Sequence, residues 1–321
     1  MKEIGGYLEF ENFNGAHYHN YPALNTARAS LLFLLKTLGA KKIFLPYYLC
    51  DSVKNYLHLH NFNYEFYHIN SSFLPLFDKV LAPKEYLLIV NTYGQLTSDT
   101  ISMLKLKYDN IILDNTHAFF EKAFPNIHTL YSCRKFFGIP DGAYLHIANM
   151  HNLHALLSTL ERDVSFYRLT PLLGRYEESA SKHYSKYIET EDELGTIPPL
   201  QMSKLTNNLL NAIDYSYVIN KRNENFQTYA TTLNENNLLC PSILNGPFCY
   251  PYYVDNGFYV RKKLIEKRIY IPTLWTNITT EYGANVAEEH MAKNILPLPI
   301  DQRVSTEDIK YIISIIKEIT L

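Results

Sequence analysis

The feature that most constrains this chain is the alternation of short apolar runs with helical stretches through its first half. Asn25-Thr26-Ala27-Arg28 opens an apolar run, ARASLLFLLKTLGA, that closes at Gly39, a residue suited to a helix C-cap. KKIFLP follows as a short buried strand stopped by Pro46; Asp51 to Leu59 reads as a helix and Tyr64 to Ile69 as a strand. EYLLIVNTYG is a strand running into a turn at Gly94. Thr97 to Leu106 is a helix, and Ile111 to Leu113 a strand that ends at Asp114. HTLYSCRKFFGIPDG and AYLHIAN continue the series. Strand and helix in this order predict an α/β domain on a mostly parallel sheet.

Residues 160–200 change character. They are polar, Tyr-rich and mixed in charge, and read as a long excursion, a lid, or a helix with a linker ending at Pro198-Pro199. The acidic run from Glu189 to Glu193 reads as a solvated face or loop. Met202 to Leu233 carries one long helical pattern. A Pro-rich strand region (Pro241 to Val254), a helix from Gly257 to Lys267, IYIPTLW, a helix around Val286 to Lys293 and ILPLPI follow. The end, STEDIKYIISIIKEI, is an amphipathic helix with a capping box of Ser305 and Asp308. These patterns divide the chain into 1–214, an N-terminal arm with a large α/β domain, and 215–321, a smaller α+β domain. The arm is irregular and rich in rings (Tyr7, Phe10, Phe13, His17, Tyr18, His19, Tyr21). The arm and the segment from Ser165 to Pro199 are expected to cover a cleft or a neighbouring subunit.

Charge and cysteine usage exclude several classes. Thirty Lys and Arg against 32 Asp and Glu give a net charge of −2, so nucleic acid is not expected as a partner. Cys50, Cys133, Cys240 and Cys249 show neither CxxC nor zinc-finger spacing, and Cys133 reads as a buried structural thiol. His17-x-His19 and His58-x-His60 lack a completing carboxylate, so no metal site is expected. The longest apolar stretches, such as Ser30 to Leu35, fall far short of a membrane span. MKEIGGYLEF has no basic segment followed by an apolar run, so no signal peptide is expected. The expectation is a cytoplasmic protein with free thiols.

In an open α/β sheet, ligands bind outside the carboxyl ends of the strands. The pattern puts Asn91 to Gln95, Asp114 to His117 and Ser132 to Lys135 there. The Asn25 to Arg28 turn precedes a helix whose N-terminus suits a phosphate. Alone, Asp114 reads equally as a helix N-cap or loop carboxylate, and Lys135 as a surface charge. Together, 21 residues apart, they point to one chemistry. A lysine that can lose its proton attacks a carbonyl. A carboxylate facing a pyridine nitrogen keeps that ring an electron sink.

Asp114-x-x-His117-Ala118, Ser132-x-x-Lys135 and Pro140-Asp141-Gly142 resemble the core of the fold-type I, pyridoxal-phosphate-dependent aminotransferases. The closest branch is the DegT/DnrJ/EryC1/StrS group of sugar aminotransferases. Asn25-Thr26-Ala27-Arg28 resembles that family's first phosphate-binding turn. IFLPYYLCDSV, VNTYGQLTSD and NILPLPIDQRVSTEDIKYIISII are similar to further family segments, in the same order. The resemblance implies a large mostly parallel-sheet domain with a smaller C-terminal α+β domain. It implies pyridoxal 5'-phosphate, a homodimer, an amino-acid donor such as glutamate, and a nucleotide-linked keto-sugar as acceptor. Lys135 would carry the cofactor covalently, Asp114 bind its ring nitrogen, and His117 reach the ring hydroxyl. Thr26, Ala27 and Ser132 would bind the phosphate. Arg28 either adds charge there or sits on the exposed helix face. The chain departs from the pattern at Cys50, where an aromatic residue usually stacks on the ring, with Tyr48 the nearest substitute. It departs again at Ser132, which lies closer to its lysine than usual. A sister dehydration reaction replaces the lysine, so Lys135 favours transfer. The other reading is a relative that keeps the fold and binds the cofactor or a sugar nucleotide without transamination.

Overall fold

In the computed structural model, residues 6–149, 157–242, 245–280 and 283–320 are described. Eight strands form one sheet: β1 (Ala23–Leu24), β2 (Lys42–Pro46), β3 (Tyr64–Ile69), β4 (Pro75–Leu76), β5 (Glu85–Val90), β6 (Ile111–Asp114), β7 (His128–Ser132) and β8 (Ala143–His146). Their order is β1-β8-β7-β6-β5-β2-β3-β4. The run from β7 through β6, β5 and β2 to β3 is parallel throughout, while β8, β1 and β4 pair antiparallel at the edges.

Strands buried on both faces need apolar residues at every position rather than alternation. In β5, Leu87 and Ile89 enter one core while Leu88 and Val90 enter the other. The second core is closed by α1 (Ala27–Thr37), whose residues Ala29 to Leu35 are all buried, and by Tyr56 and Leu57 of α2 (Asp51–Leu59). The first takes Ile101 and Leu104 of α3 (Ser98–Lys107), and Cys249, Met291 and Ile295 from the C-terminal third.

The segment 160–200 is an ordered, anchored excursion. It holds α4 (Thr170–Glu177) and α5 (Tyr184–Leu194), so the acidic run read as a solvated face or loop lies within a helix. Its return is fastened to the sheet edge. Gln201 bridges Leu24, and the Asp141 carboxylate accepts from the Ser203 N–H and hydroxyl, both at 2.8 Å, and from the Thr206 hydroxyl. Arg168 is buried and joins Asp163 at 2.5 Å to Glu193 at 3.0 Å. Paired charges of this kind are tolerated in a low dielectric because each satisfies the other.

The helical pattern from Met202 to Leu233 is two helices, α6 (Lys204–Leu210) and α7 (Tyr215–Leu233). The break has a local cause: Ser203 caps the first, and the Asp214 side chain accepts from the Tyr217 N–H to start a second. The strand region expected over Pro241 to Val254 contracts to β9 (Tyr250–Tyr253), antiparallel to β10 (Ile295–Leu298); residues 243 and 244 lie outside the described residues. This two-stranded sheet packs with α7, α8 (Gly257–Glu266) and α11 (Thr306–Thr320) around Phe226, Leu264, Leu296 and Ile309. Between them lie the short α9 (Asn277–Thr280) and α10 (Val286–Asn294). The final helix starts at the expected capping box, with the Asp308 N–H donating to the Ser305 hydroxyl at 3.1 Å and Ser305 N–H to Asp308 at 2.9 Å. The architecture is a large mostly parallel-sheet layer with a smaller C-terminal α+β unit.

The arm divides. From His17 to Tyr21 it packs on its own chain: Tyr18 donates to the Phe120 carbonyl at 3.0 Å, and the His19 ring lies 4.4 Å from Tyr131. Upstream, Tyr7, Leu8 and Phe10 are exposed; residues 1–5 lie outside the described residues. No helix among the described residues is long and apolar enough to cross a membrane.

Candidate active site

Strand register brings the sequence candidates to one edge. Leu24 faces Ala143, and Ala143 faces Ser132; Asp114 lies between Val90 and Leu130. The turn after β1, the loop after β7 and the end of β6 therefore meet at the carboxyl end of the sheet. Gly142 clamps them. Its N–H donates to the Asn25 carbonyl at 2.5 Å and its carbonyl accepts from the Cys133 N–H at 3.2 Å. Its φ of +118° is open to glycine alone, and a Cβ would press on Thr206.

Thr26 is the N-cap of α1, its hydroxyl accepting from the Ala29 N–H at 3.1 Å. Asn25 braces the turn, accepting the Thr26 N–H and donating to the Pro198 carbonyl, each at 3.0 Å. Among the described residues the Ala27 and Arg28 N–H groups meet no acceptor, so the helix end presents free donors. Ser132, buried and extended, makes no capping bond.

Asp114 is buried, and its Oδ1 accepts from the Thr116 N–H at 2.8 Å. Burial raises its pKa, against the opposing pull of Thr116 and Lys135. Among the described residues it makes no ion pair. Lys135 ends a single turn after β7 with its side chain exposed, near enough to act electrostatically on Asp114, His117 and Glu191.

His117 is buried, and burial, then the Lys135 charge, push its pKa down to about 3. The ring is therefore neutral at physiological pH. The Tyr93 N–H donates to its Nδ1 at 3.2 Å, which leaves the proton on Nε2. Tyr93 reaches it from a left-handed backbone, φ 53°, a conformation a bulky residue adopts only under constraint. The imidazole stacks on Phe248 at 4.2 Å and neighbours Trp275 at 5.7 Å.

Tyr48 is fully buried. Its hydroxyl lies 3.4 Å from that of Tyr93 and its ring is edge-on to Trp275 at 4.7 Å, so it reaches His117 only through those two rings. Cys50, half-buried with Sγ 3.1 Å from the Ser52 hydroxyl, is the neighbour of Arg28 instead. Arg28 points inward. Burial, then the adjacent Arg134, lower its pKa; Glu191, Cys50 and Tyr56 act in the other direction. Four further residues reach this locus without having stood out in the sequence: Arg134 and Glu191, which form an ion pair, and Phe248 and Trp275. Of these, Glu191 lies in the acidic run read as a solvated face or loop, and the other three were not singled out.

No family model matches the sequence, and no curated protein matches it. Solved structures do. A DegT DnrJ EryC1 StrS aminotransferase from Brucella abortus covers 94% of this chain and 86% of its own, with TM-score 0.64 and 15% identity. The chain has the fold-type I transferase architecture. NtdA of Bacillus subtilis, solved with its cofactor PMP bound, matches at TM-score 0.65 and 15% identity over 95% of this chain and 78% of its own. PseC of Helicobacter pylori, an aminotransferase of pseudoaminic acid biosynthesis, matches at 0.60 and 14% over 92% and 85%.

Within the fold-type I frame, the residues present fit a phosphorylated pyridine. Asp114 is a buried carboxylate that makes no ion pair among the described residues, and a protonated ring nitrogen would give it one. The free N–H groups at the start of α1, with the Thr26 and Ser132 hydroxyls, are a donor set that suits an anion. The Arg28 Nε, buried with no acceptor among the described residues, is a further unmet donor beside them.

Proposed function

We propose that this chain is a pyridoxal-phosphate-dependent aminotransferase that moves an amino group from an amino acid such as glutamate to a nucleotide-linked keto-sugar. The observation that carries the reading is the meeting of Asp114 and Lys135 at the carboxyl ends of two adjacent parallel strands, beside a helix N-terminus with unmet donors. Pyridoxal phosphate, when bound, supplies a sink for the electron pair left as the donor's α-proton departs. Lys135 would hold it covalently through Nζ, and the same amine, when free, would serve as the base and acid that moves that proton. Asp114 keeps the ring nitrogen protonated by presenting a negative charge in a dry setting. His117, neutral with its proton on Nε2, donates a hydrogen bond to the ring oxygen. Thr26, Ala27 and Ser132 bind the phosphate, and Tyr48 acts from behind by bracing Tyr93.

Borohydride reduction tests the reading. The purified protein with added cofactor is expected to show a visible absorbance band that borohydride removes, with the reduced label on the peptide containing Lys135. A label on another lysine, or no band with excess cofactor, leaves the fold as a binding scaffold without transamination.

We also infer a two-fold dimer in which the partner closes each site. Lys135 is exposed in the single chain, and Tyr7, Phe10, Phe166, Tyr176 and Tyr184 are exposed rings on the arm and the excursion. Cofactor then stabilises the dimer by mass action. Sedimentation at micromolar protein is expected to give a dimer strengthened by cofactor; a monomer that retains cofactor argues for a self-contained pocket. The four unpaired thiols support a reducing, cytoplasmic setting.

A further inference from the structure

Glu191 belongs to α5, in the excursion, yet its carboxylate lies on the Arg134 guanidinium through two contacts, one at 3.4 Å and one shorter. Arg134 precedes Lys135, and Arg28 is the second residue of α1, so the contact falls inside the candidate active site. Burial works against the Glu191 charge, but Arg134, Lys135 and Arg28 outweigh it and hold the carboxyl below the ordinary range. Arg134 touches Glu191 directly, and Lys135 and Arg28 act on it electrostatically, whereas Asp114 makes no ion pair among the described residues and feels Lys135 alone of the cations acting on it there.

The match is incomplete. Arg28 and Arg134 repel each other, and the Nε of each is buried with no acceptor among the described residues. One planar carboxylate with a single charge cannot answer two guanidiniums with five donors each. A phosphoryl group, with up to two charges and three terminal oxygens, can. The Arg134 and Glu191 side chains are 19% and 31% exposed, so an anion from solvent can reach the pair. The helix itself stays anchored through Glu193 and Arg168.

We propose that Arg28 and Arg134 form a subsite for a phosphoryl dianion, and that Glu191 is a tethered carboxylate occupying it until such an anion displaces it. Amino transfer is not required for this. The phosphoryl group belongs either to the cofactor or to a phosphorylated substrate, and the two are separable.

Titration calorimetry with inorganic phosphate tests the subsite on the full-length protein. Glu191→Gln and Glu191→Ala are each expected to tighten phosphate binding about tenfold, about 1.4 kcal/mol. Arg134→Gln is expected to weaken it at least as much, and Arg134→Gln combined with Glu191→Gln to bind no tighter than Arg134→Gln alone. Phosphate binding that persists in protein saturated with pyridoxal phosphate assigns the subsite to a substrate phosphoryl group; competition assigns it to the cofactor. Unchanged or weaker phosphate binding in both Glu191 variants, or no phosphate binding in any variant, overturns the proposal. A protein that follows the expected phosphate pattern but binds no pyridoxal phosphate keeps the subsite and loses the aminotransferase reading.

Discussion

Lys135→Ala is expected to lower the rate of the amino-acid half-reaction by on the order of 10⁴-fold while the protein still folds and still takes up cofactor. A positioned acid–base group is worth about 10²–10⁴-fold, and in the proposed mechanism the same amine also makes the covalent attachment, so both contributions go at once. Binding is expected to survive because the proposed phosphate and ring contacts come from other residues, Thr26, Ala27, Ser132 and Asp114. Stability barely changes, since the side chain is exposed and such substitutions stay within about 0.5 kcal/mol. Small primary amines added to the solution should restore part of the rate, because an amine that enters the space left by the lysine side chain can carry the same proton. Stopped-flow absorbance with glutamate measures both effects. Turnover within a few-fold of the unmodified protein, with no response to amines, would make Lys135 a surface charge.

The large sheet was legible because its central strands must be apolar on both faces, which leaves an unmistakable rhythm of Ile-, Leu- and Val-rich runs. Asp114 stood out for a related reason, since it closes such a run at the ligand edge; Lys135 comes a single turn after β7 and stood out only through its pairing with Asp114. Arg28 stayed ambiguous in the sequence, because whether a helix residue points out or in depends on what lies opposite, and Arg134 and Glu191 lie opposite it. Glu191 looked like one more acid in an exposed run. Its partner is 57 residues away, and no local pattern encodes a contact of that span. The break at Asn211–Asp214 was hidden by a helical pattern that continues on both sides; the Asp214 cap that enforces it is a weak signal beside an unbroken period. The stacking of His117 on Phe248 and its approach to Trp275 depend on how the C-terminal third docks, which propensity does not address.

Asp114→Asn is expected to lower turnover at least a hundredfold, about 2.7 kcal/mol of barrier, while changing cofactor affinity much less. Asparagine has the shape of aspartate, and its Oδ1 still accepts the Thr116 N–H at the same site. It cannot supply the negative charge that keeps a pyridine nitrogen protonated, so the loss falls on the state in which the ring accepts an electron pair. The cofactor-free protein should respond in the opposite direction. Burial raises the Asp114 pKa, so the folded state favours the neutral acid. Stability from this group is full below the ordinary carboxylate pKa and falls as pH rises through the raised value. At neutral pH the buried charge therefore costs stability, and the neutral amide removes that cost. Asp114→Asn should match or exceed the parent in urea unfolding without cofactor, and gain less than the parent from added cofactor. Kinetics and urea titrations with and without pyridoxal phosphate test both halves. A variant with near-normal turnover, or one destabilised without cofactor, would identify Asp114 as a structural carboxylate serving the Thr116 turn.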